Sequence, residues 1–300
     1  MDMTQNKCCR RGANLRRRRR RRRKILRSII FSYSIIAVAV FVAVGSSMIR
    51  SGDGRKNRYD VEAGNNTYDN AVIENSKISE KNKIQNNQSM LDDIMNSTQY
   101  PKQLKDLALK NEEALEFVYD YPAEHVKEHT IDLTEEASMD SVPLFVQWDK
   151  RWGYEKYSGN FFAASGCGPT TLSMVVVYLT HNREASPIAV AKYSKEAGYS
   201  VDGSGSSWTL ISEGCRHYGV KAKAVALDES RMKAELDEGH PIVVNVGPGD
   251  FTDTGHFMVI TGYDDEGFSI NDPNSIEKSG KRWLFKNISS QIRAVWSMYV

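Results

Sequence analysis

The sequence predicts an α+β protein, with helices packed on a mostly antiparallel sheet, preceded by one transmembrane helix and a polar, flexible stalk. Three observations carry this. Helical periodicity dominates from about residue 100 to residue 218, short apolar runs of strand length follow to residue 300, and an uncharged stretch of 21 residues stands near the start.

The N-terminal elements come first. Residues 1–28 hold Lys7, Arg10, Arg11, Arg16 to Arg23, Lys24 and Arg27, thirteen bases against the single acid Asp2. Of the chain's 40 basic and 38 acidic groups, 27 and 37 lie beyond residue 28, so the formal charge of +2 averages a basic tail with an acidic body. Residues 29–49 run from Ile29 to Ile49 without a charge. At about 1.5 Å of rise per residue they reach roughly 30 Å, the thickness of a hydrocarbon core. Arginines stay on the cytoplasmic side, which predicts that everything after residue 50 lies outside a bacterial cytoplasmic membrane. Ala43-Val44-Gly45 also has the small-x-small form of a signal cleavage site, but the apolar run exceeds a usual signal core. Either reading exports the body. Beside an apolar span, the arginine run reads as a topology signal and no nucleic-acid partner is expected.

Residues 50–97 are rich in Asn, Lys, Ser and Glu and are expected to form a disordered linker, since little apolar surface is present to offset chain entropy. Residues 98–140 are expected to be a helical prefix. From Tyr100 to Tyr119, Leu104, Leu107, Ala108, Leu115 and Val118 fall on one stripe that needs a partner. His125-Val-Lys-Glu128-His129 has the form of an inverted zinc-peptidase pattern, but it sits in a polar connection without a third ligand and reads as a solvated segment.

Residues 141–300 read as the folded body. Val142 to Gln147 predicts a short strand, and Gly168 to Leu179 a buried helix. Ser186-Pro187 caps a helix to about Ala197, and Ser207 to Tyr218 predicts another. Strands are predicted over Lys221–Leu227, Pro241–Val246, His256–Tyr263 and Gly267–Asn271, with a helix from about Glu229 to Glu238 between them. Trp283–Phe285 and Ala294–Val300 close the sheet. The Asp202–Ser207 stretch lacks a P-loop lysine and reads as a loop at the start of the Trp208 helix.

The chemistry concentrates at three places. In Ser165-Gly-Cys167-Gly-Pro-Thr-Thr171 the glycines let the backbone turn beside the thiol and Pro169 suits an early helical position. Cys167 then stands at a helix N-terminus, where unpaired N–H groups favour the nucleophilic thiolate. His256, at the mouth of an apolar strand after Gly255, suits a base that takes and returns a proton. Asp272 ends a strand 16 residues later, placed to accept the second imidazole N–H. Each has a plainer reading: a small packed cysteine, a structural histidine, an Asp-Pro turn. A Cys167–Cys215 disulfide is also open, although two body cysteines make no disulfide framework and fit no zinc spacing. Cys215, His181, His217 and His240 read as structural or solvated.

Val142-Pro-Leu-Phe-Val-Gln147-Trp-Asp-Lys-Arg-Trp152-Gly, then Ser165-Gly-Cys167-Gly-Pro-Thr-Thr-Leu-Ser-Met174, then Gly255-His256-Phe, then Asn271-Asp272-Pro273, resembles the papain-like peptidases related to bacteriocin-processing (double-glycine leader) peptidases. The resemblance covers about residues 141–300. It implies a papain-like fold with Cys167 as nucleophile, His256 as base, Asp272 as orienting acid and Gln147 as oxyanion donor. An independent rationale for Gln147 is that its amide and the Cys167 backbone N–H can jointly hold a developing oxyanion; its plainer reading, preferred without the resemblance, is a surface glutamine beside the Trp148/Trp152 pair. The authentic processors work on the cytoplasmic side, joined to a multispan transporter, so leader cleavage does not transfer to a domain expected outside. The expectation is a membrane-anchored cysteine peptidase, monomeric and without metal or cofactor, that hydrolyses a peptide or isopeptide bond of an external peptide or protein, cell-wall peptide included. Amide transfer in the same site, or a non-catalytic peptide- or wall-binding module, are the alternatives.

Overall fold

Residues that alternate along the central strands belong to two different cores, and this places the sheet in the middle of the body. The structure is a computed structural model in which residues 66–300 are described, side chains from residue 80 onward. The expected basic tail, the span over 29–49 and the first part of the linker lie outside the described residues. Among the described residues no helix is long and apolar enough to cross a membrane.

The strands are β1 (Lys221–Ala224), β2 (Ile242–Val246), β3 (His256–Asp264), β4 (Gly267–Asn271), β5 (Arg282–Trp283) and β6 (Ile292–Tyr299). They form one sheet in the order β1-β6-β2-β3-β4-β5, antiparallel at every pairing. Val243, Val259, Trp296 and Met298 face a core shared with Leu172, Val175 and Val176 of the helix Cys167–Thr180. Their neighbours Ile242, Val244, Met258 and Ile260 join Met232 and Leu236 of the helix Glu229–Asp237. Both faces are covered, so every residue of β2 is buried. An α+β architecture with an antiparallel sheet is what the run of predicted elements requires.

The helices used below are α1 (Asn66–Asn96), α2 (Lys102–Lys110), α3 (Leu115–Tyr119), α4 (Cys167–Thr180), α5 (Pro187–Glu196) and α6 (Glu229–Asp237). Several expectations change. The linker expected over 50–97 is helical from Asn66. Its last turns carry Met90, Leu91 and Ile94 at helical spacing, and these pack with Leu104, Leu107 and Leu115, a tertiary contact that composition alone conceals. The expected Tyr100–Tyr119 helix breaks at Asn111, whose backbone is extended (φ −136°, ψ 99°) and whose side chain accepts from the Glu113 N–H at 3.0 Å. This Asx turn competes with the helix and starts a new one.

Val142–Gln147 is not a strand. Pro143 lacks a ladder donor, and the segment is held by Asn271 Nδ2, which donates to Val142 O (3.1 Å) and Pro143 O (3.0 Å). The predicted Ser207–Tyr218 helix divides into Thr209–Ser212 and a 3-10 segment Gly214–Tyr218, where Gly214 lies against the Tyr199 ring. The last predicted strand before β6 stops at Trp283, and Phe285 opens a short helix. Residues 70–300 form one compact unit that includes the prefix. Leu104 is fully buried in a cluster with Phe161 and Ala163 of the body. Leu104→Ala is therefore expected to lower stability by roughly 2–5 kcal/mol, measured by urea unfolding of the 80–300 segment, whereas a prefix that only hangs from the body would cost well under 1 kcal/mol.

Candidate active site

Cys167 is the first residue of α4. The glycines on either side serve close packing rather than a left-handed turn. Gly166 has φ −85°, and a Cβ there would lie 2.6 Å from the Phe162 ring; a Cβ on Gly168 would lie 2.6 Å from Ser206 Oγ. The Asp202–Ser207 stretch, expected to be a loop, thus contributes the small strand Gly205–Ser206 that packs on the start of α4. One turn further along α4, Thr171 Oγ1 donates to Phe257 O at 3.1 Å. Positions i and i+4 share a helix face, so this bond registers Cys167 against the residue that follows His256.

His256 opens β3 opposite Val246 and is 5% exposed; Asp272 follows β4 directly and is fully buried. His256 Nε2 donates to Asp272 Oδ1 at 2.6 Å. The other ring nitrogen, Nδ1, is left free by Asp272, and the imidazole and the Cys167 thiol each shift the other's ionisation. Asp272 Oδ1 also accepts from the Asn274 N–H (2.8 Å), while its buried Oδ2 has no hydrogen-bond partner. Cys167, His256 and Asp272 are brought together in the order expected.

The electrostatics follow from this contact. Burial opposes charge on His256, but the Asp272 carboxylate and the Cys167 sulfur outweigh it and push the imidazole up to about 10. Burial likewise raises the Cys167 thiol, yet His256 and the N–H groups of Phe257 and Gly168 bring it below its ordinary value. Opposite shifts on adjacent groups favour a thiolate–imidazolium pair at neutral pH. Cys215 is different: fully buried and unpaired with any disulfide partner, it is pushed up to about 11. Both Cys167 and Cys215 are free thiols, so the disulfide reading is not realised.

Gln147 enters the same cleft by way of the Val142–Gln147 segment. Its backbone N–H donates to Pro273 O at 2.7 Å, next to Asp272, and its Nε2 donates to Ala163 O at 2.7 Å. One of the two amide hydrogens is thus committed to Ala163, and Oε1 is buried without a partner. Trp148 Nε1 donates to Asn274 O (3.2 Å), and Trp152 packs edge-on against Phe145 with Nε1 on Val146 O (2.9 Å).

The cleft has a volume of about 490 Å³. Cys167, His256 and Gln147 lie in its lining, α2 supplies Gln103, Leu107 and Lys110, and the Gly249–Gly255 loop supplies the facing wall. That loop is held by Gln291, whose Oε1 accepts from the Asp250 N–H (2.7 Å) and whose Nε2 donates to Asp250 Oδ2 (2.6 Å). Thr171 and Gln291 escaped the sequence reading, as did the place of α2 in the cleft; only the i, i+4 spacing of Cys167 and Thr171 was a usable signal. His125 and His129 bond the backbone oxygens of Tyr121 and Glu124. Among the described residues no group of three or more His, Cys, Asp or Glu side chains is placed to hold a metal.

A family model described as the Peptidase_C39 like family matches residues 139–300. The chain belongs to the peptidase C39-like family. Comparison with curated proteins gives no match. Among solved structures, the peptidase domain of Streptococcus ComA, a bifunctional ABC transporter involved in a quorum-sensing pathway, is similar over 45% of this chain and 90% of that one, at 20% identity and a TM-score of 0.36. A Bacillus anthracis protein described as a C39-like peptidase is similar over 53% of this chain and 95% of that one, at 16% identity and a TM-score of 0.34.

Iodoacetamide at pH 7 is expected to modify Cys167 and spare Cys215, whose thiolate fraction at a pKa near 11 is about one part in ten thousand. The sign of the pH dependence is set by the two shifts. Reactivity rises as the depressed thiol of Cys167 ionises, and the sulfur remains a thiolate when His256 loses its proton near 10. Asp272→Asn removes the charge that raises His256, which in turn supports the thiolate less. The acid limb therefore moves to higher pH, read from Cys167 alkylation rates across pH 5–11.

Proposed function

We propose that this C39-like family member is a papain-like cysteine peptidase that cleaves a peptide or isopeptide amide through an acyl-enzyme on Cys167. The observation that supports it most is the meeting of Cys167 and His256 in one cleft with Asp272 buried behind the imidazole, the thiol lowered and the imidazole raised. In this reading the proton of Cys167 already rests on His256 before substrate arrives. The thiolate attacks the amide carbonyl, and the developing oxyanion takes hydrogen bonds from the Cys167 backbone N–H and the second hydrogen of the Gln147 amide. His256 then returns its proton to the leaving amine. Water, deprotonated by the same imidazole, hydrolyses the thioester and restores the thiolate. Asp272 keeps Nδ1 aimed at sulfur and stabilises the imidazolium without itself taking the proton.

The proposed setting is the outer face of a bacterial cytoplasmic membrane, with residues 29–49 as the anchor. What supports it is the arginine run followed by an uncharged span. The substrate is then an exported peptide or protein, cell-wall peptide included.

Purified residues 80–300 incubated with exported peptides and cell-wall fragments, then read by mass spectrometry, test the reaction. New carboxyl termini are expected with the native protein and none with Cys167→Ala. Retention of intact ligand, unchanged by Cys167→Ala, would favour a binding module. Amine-capped products after addition of glycine amide would show transfer instead of hydrolysis.

A further inference from the structure

The turn that carries Asp272 is held from outside the sheet, by the segment between α2 and α3. Asn111 Nδ2 donates to Asn274 O at 2.9 Å and lies 3.1 Å from Asn274 Oδ1. Glu113 takes three donors from the same turn: the Ser275 hydroxyl on Oε1, and on Oε2 the N–H groups of Ile276 (2.7 Å) and Glu277 (3.0 Å). The turn itself is short. Asp272 bridges to Ser275, and the Ser275 N–H donates to Asp272 O at 3.2 Å. Inside it, Asp272 Oδ1 is shared between the His256 ring and the Asn274 N–H. A carboxylate on one face of the turn and the orienting acid on the other therefore share the backbone of residues 273–275.

We infer that Glu113, with Asn111, is a positioning residue for the reaction: it clasps the Asn274–Glu277 turn and so sets the distance from Asp272 to His256. This inference rests on the peptidase reading above. It also explains why the predicted prefix helix is interrupted. An unbroken helix past Lys110 cannot present the Asn111 side chain both to Glu113 N–H and to Asn274, whereas the extended backbone at Asn111 does both. The clasp has a geometric consequence. Three of the five hydrogen-bonding groups that Asn111 and Glu113 meet lie within three residues of Asp272, so a displaced turn moves the carboxylate, and near-attack geometry is sensitive to shifts on the ångström scale.

The readout needs no known substrate: the pH profile of Cys167 alkylation by iodoacetamide in the full chain, read on the Cys167 peptide by mass spectrometry. Glu113→Ala is expected to lower the rate at pH 7 roughly 10- to 100-fold and to move the acid limb to higher pH, as Asp272→Asn does. Glu113→Gln keeps an acceptor and is expected to recover part of the rate. Glu112→Ala, whose carboxylate instead accepts from Asn87 on α1, is expected to leave the profile unchanged. The charged groups that face the cleft, Asp106 and Lys110 of α2, Asp250 and Asp253 of the loop, and Lys278, are untouched in all variants. In an Asp272→Ala background, Glu113→Ala is expected to add nothing. An equal fold-loss in that background, or an unshifted limb in a variant with native thermal stability, would overturn the inference. Unselective labelling of the native protein, equal at Cys167 and Cys215, would instead overturn the peptidase reading.

Discussion

The buried hydrogen bond between His256 Nε2 and Asp272 Oδ1, 2.6 Å long, is the constraint on which the arrangement of the body depends. A carboxylate without solvent is costly unless its charge is met, and Asp272 meets it with an imidazolium and an N–H from its own turn. That requirement joins two strands at one end of the sheet. β3 must begin with His256, β4 must end just before Asp272, and the β3–β4 hairpin must deliver both to the same edge. The helix α4 then has a defined place: Thr171 bonds Phe257 O, and Cys167 reaches the nitrogen that Asp272 leaves free.

Around this bond the structure is organised in shells of decreasing burial. Gln147 N–H and Asn111 Nδ2 hold the carbonyls of Pro273 and Asn274, and Glu113 receives the N–H groups beyond them. The walls of the cleft are less enclosed, with α2 on one side and the Gln291-tied loop on the other. In the proposed peptidase, a rigid centre with walls drawn from a separate helix and a loop would keep chemistry constant while the substrate varies.

Much of this was legible in the residues. Cys167 at a helix start, His256 at a strand start and Asp272 at the end of the neighbouring strand follow from local patterns, because glycine, proline and alternating apolar residues report backbone geometry directly. The antiparallel sheet follows from the same patterns. Less legible was whatever depends on contacts distant in sequence. Asn111 reads as one polar residue in a helical stripe, and only its bond to Asn274, 163 residues away, shows why the helix stops there. Asn66–Asn96 looks too polar to order itself until Ile94 is seen buried against Leu104 and its neighbours. The glycines flanking Cys167 were read as turn residues because sequence cannot show that Phe162 and Ser206 fill the space a Cβ would occupy.

The central claim is that Asp272 holds His256 as an imidazolium beside a cysteine thiolate at neutral pH. Nitrogen-15 NMR of the histidine side chains in residues 80–300, titrated from pH 5 to pH 11 and assigned with His256→Gln, measures this directly. The account predicts that both ring nitrogens of His256 stay protonated through pH 8 and release a proton only near pH 10. A His256 ring that titrates near its ordinary value of 6.5, leaving a neutral imidazole at pH 8, would contradict it.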